Sequence, residues 1–316
     1  MDDHAREEKH HVAFESVSTV VVCGAGQAGT MTNLRHLPIA LLLTVSAATF
    51  APMPALAQAP ACGQFAPSGQ LPVLLNAKLA SRTTLLCNDG YAALASGLTH
   101  GALWSAEHPT TASLAAARAT PRQGQFHPDD RLPSADQAQI ADYRRSGYDR
   151  GHMTPSGDMP DEQSQQQTFS LANMVPQTAA LNRGIWVGIE TAVRRLASRE
   201  GELYLVTGPA FGGGQLQSIG PSGVLVPSST WKAVYDPRTG GAGAYVCENT
   251  ATPACQVVSV ATLARVVGID PFPALPASVK EQAMLLPAPG KSRYAPGQRR
   301  EPRRRQNGLP EQAPGL

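Results

Sequence analysis

The run YDRGHMTPSGDM at 148–159, with LANMVPQTAALNRGIWVGIE at 171–190, decides how the whole chain is read. His152 carries an imidazole that titrates near neutral pH, so it can take a proton from water without holding a permanent charge. Asp149 and Arg150 set fixed charges beside it, and Gly151 has no side chain to keep neighbouring backbone away. The second segment has helical periodicity. Asn182, Trp186 and Glu190 recur at i, i+4 and i+8 and are expected to share one face, while Ile185 and Ile189 form an apolar stripe for packing on a sheet. An Asn amide oxygen is a hard, neutral ligand that suits Mg²⁺, an ion that favours octahedral oxygen coordination and keeps several waters. Glu190, two turns on, is placed to accept hydrogen bonds from those waters. A base, a cation for phosphate oxygens and a metal ligand are the parts that hydrolysis of a phosphodiester calls for.

Each residue also has a plainer use. A His beside an Asp is commonly a hydrogen-bonded structural pair, Asn182 is suited to capping a helix, and Trp186 reads as core packing. Other hydrolytic chemistries fail on pattern. The histidines beyond position 57, namely His100, His108, His127 and His152, are scattered and form no H-E-x-x-H pair for zinc. Ser156 and Ser170 lack the G-x-S-x-G elbow of a serine hydrolase.

SGYDRGHM, SLANMVPQ and LNRGIWVGIE together resemble the DNA/RNA non-specific endonuclease family, the sugar-non-specific nucleases with a ββα-metal core that include endonuclease G. The resemblance runs from about Gly90 to Pro273 and takes in LWSAEH, FHPDDRLP, YLVTGP, VPSSTWK and GIDPFP. It implies an α+β fold, with a ββα-metal nuclease core on a mostly antiparallel central sheet flanked by helices. It also implies Mg²⁺-dependent hydrolysis of DNA and RNA, with Mn²⁺ as a substitute ion. By the same resemblance, His152 is the general base, Asn182 the single direct Mg²⁺ ligand, and Glu190 the acid linked to the metal's water shell. Arg150 and Arg122 stand for the arginines near the scissile phosphate, although Arg118, one helical turn before Arg122, competes for the second place. Asn173 matches an active-site asparagine and Asp149 a residue supporting the histidine strand. Thr154 stands where Ala is common and Arg183 where Gln is frequent; neither is expected to touch the chemistry. The implied reaction is in-line attack by water deprotonated by His152, with Mg²⁺ on Asn182 polarising the phosphate, Arg150 and Arg122 neutralising charge, and 5′-phosphate products. Two other classes compete: a non-catalytic nucleic-acid-binding protein of the same fold, and a phosphodiesterase for small or lipid substrates. The intact set of His152, Asn182 and Glu190 speaks against the first.

The flanks set the context. VSTVVVCGAGQAGT places Gly24, Gly26 and Gly29 in a dinucleotide-binding spacing, but no acid follows about 20 residues on, as such a unit requires. From Met31 the chain has one Arg, an apolar stretch from Leu37 to about Ala51, and Ala55-Leu56-Ala57, the pattern of a secretory signal peptide. Residues 31–57 are therefore expected to be the signal, 1–30 an extension ahead of the true start, and 58–290 the exported nuclease domain, periplasmic or secreted. The apolar run is shorter than a bilayer span of roughly 20 residues, so no membrane span is expected after cleavage. Oligomeric state is left open.

Beyond Cys23, four cysteines remain: Cys62, Cys87, Cys247 and Cys255. An even count in an exported chain suggests two disulfides. Of the three pairings, sequence proximity favours Cys62 with Cys87 and Cys247 with Cys255. The body from 58 to 290 holds 16 basic and 17 acidic residues, so an anionic partner must meet a local basic patch. The last 26 residues, with RREPRRR at 299–305, read as a disordered basic tail. Strands are expected at 83–87, 91–95, 102–106, 202–211 and 241–249, two meander strands across 223–237, and helices at 112–119 and across DQAQIADYRRSG.

Overall fold

A computed structural model describes residues 62–290 together with 292 and 294. The Gly24 motif, the signal segment and most of the basic tail lie outside the described residues. The described chain begins β1 (Val73–Leu74), β2 (Thr83–Cys87), β3 (Tyr91–Ser96), β4 (Gly101–Glu107), α1 (Thr111–Ala119), α2 (Ile140–Tyr143), β5 (Asp149–His152), α3 (Glu162–Thr168) and β6 (Met174–Gln177). It continues α4 (Trp186–Glu200), β7 (Tyr204–Ala210), β8 (Ser218–Ile219), β9 (Val224–Leu225), β10 (Ser229–Asp236), β11 (Gly241–Glu248), β12 (Cys255–Val258), α5 (Val260–Val267), β13 (Ile269–Asp270) and α6 (Ala277–Glu281).

Seven strands form one antiparallel sheet in the order β12-β11-β10-β7-β4-β3-β2, so the fold is α+β as the sequence implied. Strand alternation sorts its side chains onto two faces. Trp231 and Ala233 of β10 and Ala242 and Ala244 of β11 pack with Val260, Leu263 and Phe272 on one face. Val234, Tyr245 and Leu205 pack on the other face with Trp186, Ile189, Val193 and Leu196 of α4. The spacing of those α4 residues is that of a helix with one apolar stripe, and Gly201, at φ 103°, closes it with a backbone that a side chain would disfavour. All seven residues of β4 are buried, as expected for a strand covered on both faces. No helix among the described residues is long and apolar enough to cross a membrane.

Disulfides join Cys62 to Cys87 and Cys247 to Cys255, with Cα separations of 5.6 and 4.1 Å. The second bridges directly paired positions of β11 and β12. Two local expectations change. The meander across 223–237 breaks at Pro227, which has no N–H for a ladder, and β9 pairs with β8 instead of β10. The helix across DQAQIADYRRSG shrinks to the single turn of α2, because Asp142 accepts from the Gln139 and Ser222 backbone N–H groups and Arg145 turns to φ 56°.

Candidate active site

The strands β5 and β6 form their own antiparallel ladder, with Asp149 opposite Gln177 and His152 opposite Met174. Met153 and Val175 pack on Ala102 of β4, fixing the ladder to the large sheet. A Cβ on Gly151 would collide with the Gln177 amide, so the glycine lets the two strands close. This ladder forms one wall of the site, and the turn into α4 and α4 itself form the other.

Aromatic rings enclose His152. Its ring lies 5.1 Å from Phe169, perpendicular to it, and 5.8 Å from Phe126. Its Nε2 is buried without a hydrogen-bond partner among the described residues. Burial, helped by the nearby charges of Arg122 and Arg150, pushes the imidazole down to about 3, so the ring is neutral. Arg150 stacks its guanidinium 4.1 Å from the Phe126 ring centre, and Arg122 lies 5.5 Å from that of Phe169. Neither forms an ion pair among the described residues.

The opposite wall is built differently. Between β6 and α4 the chain makes a π-helical turn, Leu181–Ile185, in which Gly184 leaves helical geometry at φ −95°, ψ −112°. Such turns insert an extra residue into the helical register. Asn182 therefore leaves the i, i+4 register with Trp186. Trp186, 1% exposed, points into the core, while Asn182 and Glu190 line the cleft.

Asn182 is oriented by Asp149, whose Oδ2 accepts from its Nδ2 at 3.1 Å. A carboxylate can only accept, so the amide nitrogen must face it, which leaves Oδ1 without a hydrogen-bond partner among the described residues. Arg183 holds Asp149 with bonds of 2.7 and 2.5 Å. Burial works to raise the Asp149 carboxyl, but the hydrogen bonds from Arg183 and Asn182 hold it below its ordinary value. From the histidine strand Asp149 thus braces the helix wall, and Arg183, expected to be remote from the chemistry, is the other half of that brace.

Glu190 lies 3.5 Å from Arg194, which also bonds Asp158 at 2.5 Å. Burial pushes the Glu190 carboxyl up, against the pull of Arg194. Beneath this network, Lys232 of β10 donates to Thr207 at 2.5 Å and lies 3.5 Å from Glu107 of β4. Burial raises Glu107 to about 8.

The two walls bound a cleft of about 680 Å³ that gathers His152, Arg150, Arg122, Asp149, Asn182 and Glu190. Asn173 is not in it. Its side chain, 1% exposed, accepts from Thr154 N at 3.0 Å and donates to Thr154 O and Thr168 O, both at 2.9 Å. With both amide protons used, it clamps the backbone after His152 and has nothing left for a substrate. Arg194, Asp158, Phe126 and Phe169 went unread in the sequence. Arg194 had a signal, four residues after Glu190 on the same helix; the two rings had none, because they reach His152 only through the tertiary fold. A second hollow, of about 590 Å³ between α5 and the sheet, is lined mainly by apolar residues and holds none of these groups.

Residues 75–278 match the DNA/RNA non-specific endonuclease family. The chain belongs to that family. Nuclease 1, mitochondrial, of Schizosaccharomyces pombe is 34% identical over 215 residues, 63% of this chain and 64% of that protein. Endonuclease G, mitochondrial, of Bos taurus is 32% identical over 219 residues, 66% of this chain and 69% of that protein. The chain thus spans less than two thirds of the length of the S. pombe relative. Among solved structures, that of the EndoG/EndoGI complex superposes with a TM-score of 0.55 at 27% identity, covering 58% of this chain and 84% of that one. The family's shared fold is therefore the one described above.

Proposed function

We propose that this protein is an exported, Mg²⁺-dependent endonuclease that hydrolyses the phosphodiester backbone of DNA and RNA and leaves 5′-phosphate ends. The observation that carries the reading is the orientation of Asn182. Its amide nitrogen is committed to Asp149, so its oxygen is offered to the same cleft that holds a neutral His152 and two arginines without a carboxylate partner among the described residues.

The donor set suits Mg²⁺. Among the described residues no group of three or more His, Cys, Asp or Glu side chains is placed to cage a metal. That argues against zinc and calcium sites, which draw most ligands from the protein. Asn182 would hold the ion and Glu190 would accept from its waters, with Mn²⁺ as a substitute. When bound, the ion supplies positive charge for the phosphate and the departing oxygen.

The chain's own residues account for the rest. Among the described residues no carboxylate pairs with Arg150 or Arg122, so a phosphate is their natural partner. Its negative charge offsets the two cations that depress His152, and the imidazole gains basicity as substrate arrives. His152 then takes a proton from the attacking water, and the arginines neutralise charge that grows on the phosphate while the 3′ oxygen leaves. Backbone-directed chemistry of this kind needs no reading of base edges. The two disulfides support an oxidising compartment, and we place the domain at 58–290 behind the signal segment.

Incubating the purified protein with plasmid and with RNA, with and without EDTA, tests the reading. Cleavage of both that stops on chelation is expected. Cleavage unaffected by EDTA, or none at all, contradicts it.

A further inference from the structure

Beside the catalytic cleft lies a hollow of about 620 Å³ whose lining includes Arg118 of α1 and Arg194, Arg195 and Arg199 of α4, and no carboxylate. It shares Gly157, Thr191 and Arg194 with the cleft, so the two are neighbours. Its geometry follows from local structure. Thr191, Arg194, Arg195 and Ser198 fall at i, i+3, i+4 and i+7 along one face of α4. Leu114 of α1 packs with Val193 and Ala197, which brings Arg118 to Ser198 at 3.4 Å.

The four arginines are not equivalent. Arg194 is bound to Asp158 and lies near Glu190, and Arg199 bonds Glu200 at 2.8 Å. Arg118 and Arg195 are exposed and form no ion pair among the described residues. A body holding 16 basic and 17 acidic residues has acids enough to pair them, yet among the described residues none lines this hollow. Two guanidinium groups without a carboxylate, beside two that have one, make a local positive field that an anion relieves. The side-by-side arrangement also settles which arginine faces the site: Arg122 lines the cleft and Arg118 the hollow.

We propose that this hollow is a second phosphate subsite, in which Arg118 and Arg195 hold a backbone phosphate of the same nucleic-acid strand that enters the cleft. The inference rests on the nuclease reading for the identity of the strand. It makes the hollow a binding element only, outside the groups that act on the scissile phosphate.

The test compares Arg118→Gln/Arg195→Gln with a control pair, Lys78→Gln/Arg265→Gln, which removes two exposed cations on the α5 side. Binding to a short fluorescent duplex is followed against salt in EDTA, on a His152→Ala background. The double variant is expected to lower the magnitude of the slope of log K against log salt by about 1, the change that follows when one phosphate is no longer neutralised; the control pair leaves it in place. On an otherwise wild-type background, the double variant raises KM for duplex several-fold while hydrolysis of bis(p-nitrophenyl) phosphate, which has one phosphate, is unchanged. An unchanged slope, an equal change in the control pair, or loss of the small-diester activity overturns the subsite. Absence of all hydrolysis by the wild type would instead strike the nuclease reading, since the binding slopes are read without it.

Discussion

On the hairpin wall of the cleft, His152 sits between phenyl rings beside two arginines that no carboxylate among the described residues pairs with. On the helix wall, Arg183 and Arg194 are each bound to a carboxylate, and Asn182 is held by one. The difference separates two uses of charge. Compensated charge fixes the position of neighbouring groups, whereas uncompensated charge is left to receive an anion. Asn173 and Asn182 repeat the contrast within one residue type: the first uses its amide on backbone and becomes a clamp, the second keeps its oxygen open. The walls should therefore fail in different ways when altered.

The largest effect is expected from removing the proposed base. His152→Ala should cut DNA hydrolysis by roughly a hundredfold to ten-thousandfold, with the circular dichroism spectrum preserved. Near-normal cleavage would mean that the hairpin wall holds no base. On the helix wall, Asp149→Asn leaves the shape but lets an amide face an amide, and it strips Arg183 of its partner. A loss of about 10–100-fold in metal affinity or turnover is the expected result, read by calorimetric Mg²⁺ titration and single-turnover kinetics; an unchanged affinity would show that Asn182 needs no brace. Asn173→Ala should act first on stability, by about 1–3 kcal/mol for buried groups left unpaired, measured by urea denaturation. If turnover fell without any change in stability, its assignment as a clamp would be wrong.

A further effect concerns pH. His152 has its folded value pushed to about 3, below the ordinary 6.5. The unfolded chain therefore binds a proton that the folded chain refuses, and stability present above about 6.5 is lost as pH falls toward 3. In His152→Phe that part of the pH dependence should vanish, and denaturation midpoints from pH 4 to about 7 would record it. Parallel curves for the two proteins would argue that the ring is hydrated and free to charge.

Much of the architecture is legible in the residues themselves. Individual strands follow from short apolar runs such as LYLVTGP, whereas their antiparallel arrangement and the grouping of His152, Asn182 and Glu190 in one site are implied by the family resemblance of the motifs. What escapes a reading of the sequence depends on distance in the chain. The bond from Asn182 to Asp149 spans 33 residues and exists only because β5 pairs with β6 across α3. Regular periodicity puts Asn182 on the face of Trp186, but the π-helical turn with its non-helical Gly184 breaks that register, while Trp186 stays in the apolar stripe of α4. Phe126 and Phe169 carry no polar group that would mark them, although the state of His152 depends on their enclosure.

Calorimetric titration of Mg²⁺ into the wild type, Asn182→Ala and His152→Ala, with plasmid cleavage measured on the same samples, tests the division between the walls most directly. Both variants are expected to lose cleavage, with Asn182→Ala also losing Mg²⁺ binding and His152→Ala retaining it. Retained binding in Asn182→Ala, or abolished binding in His152→Ala, would contradict the account.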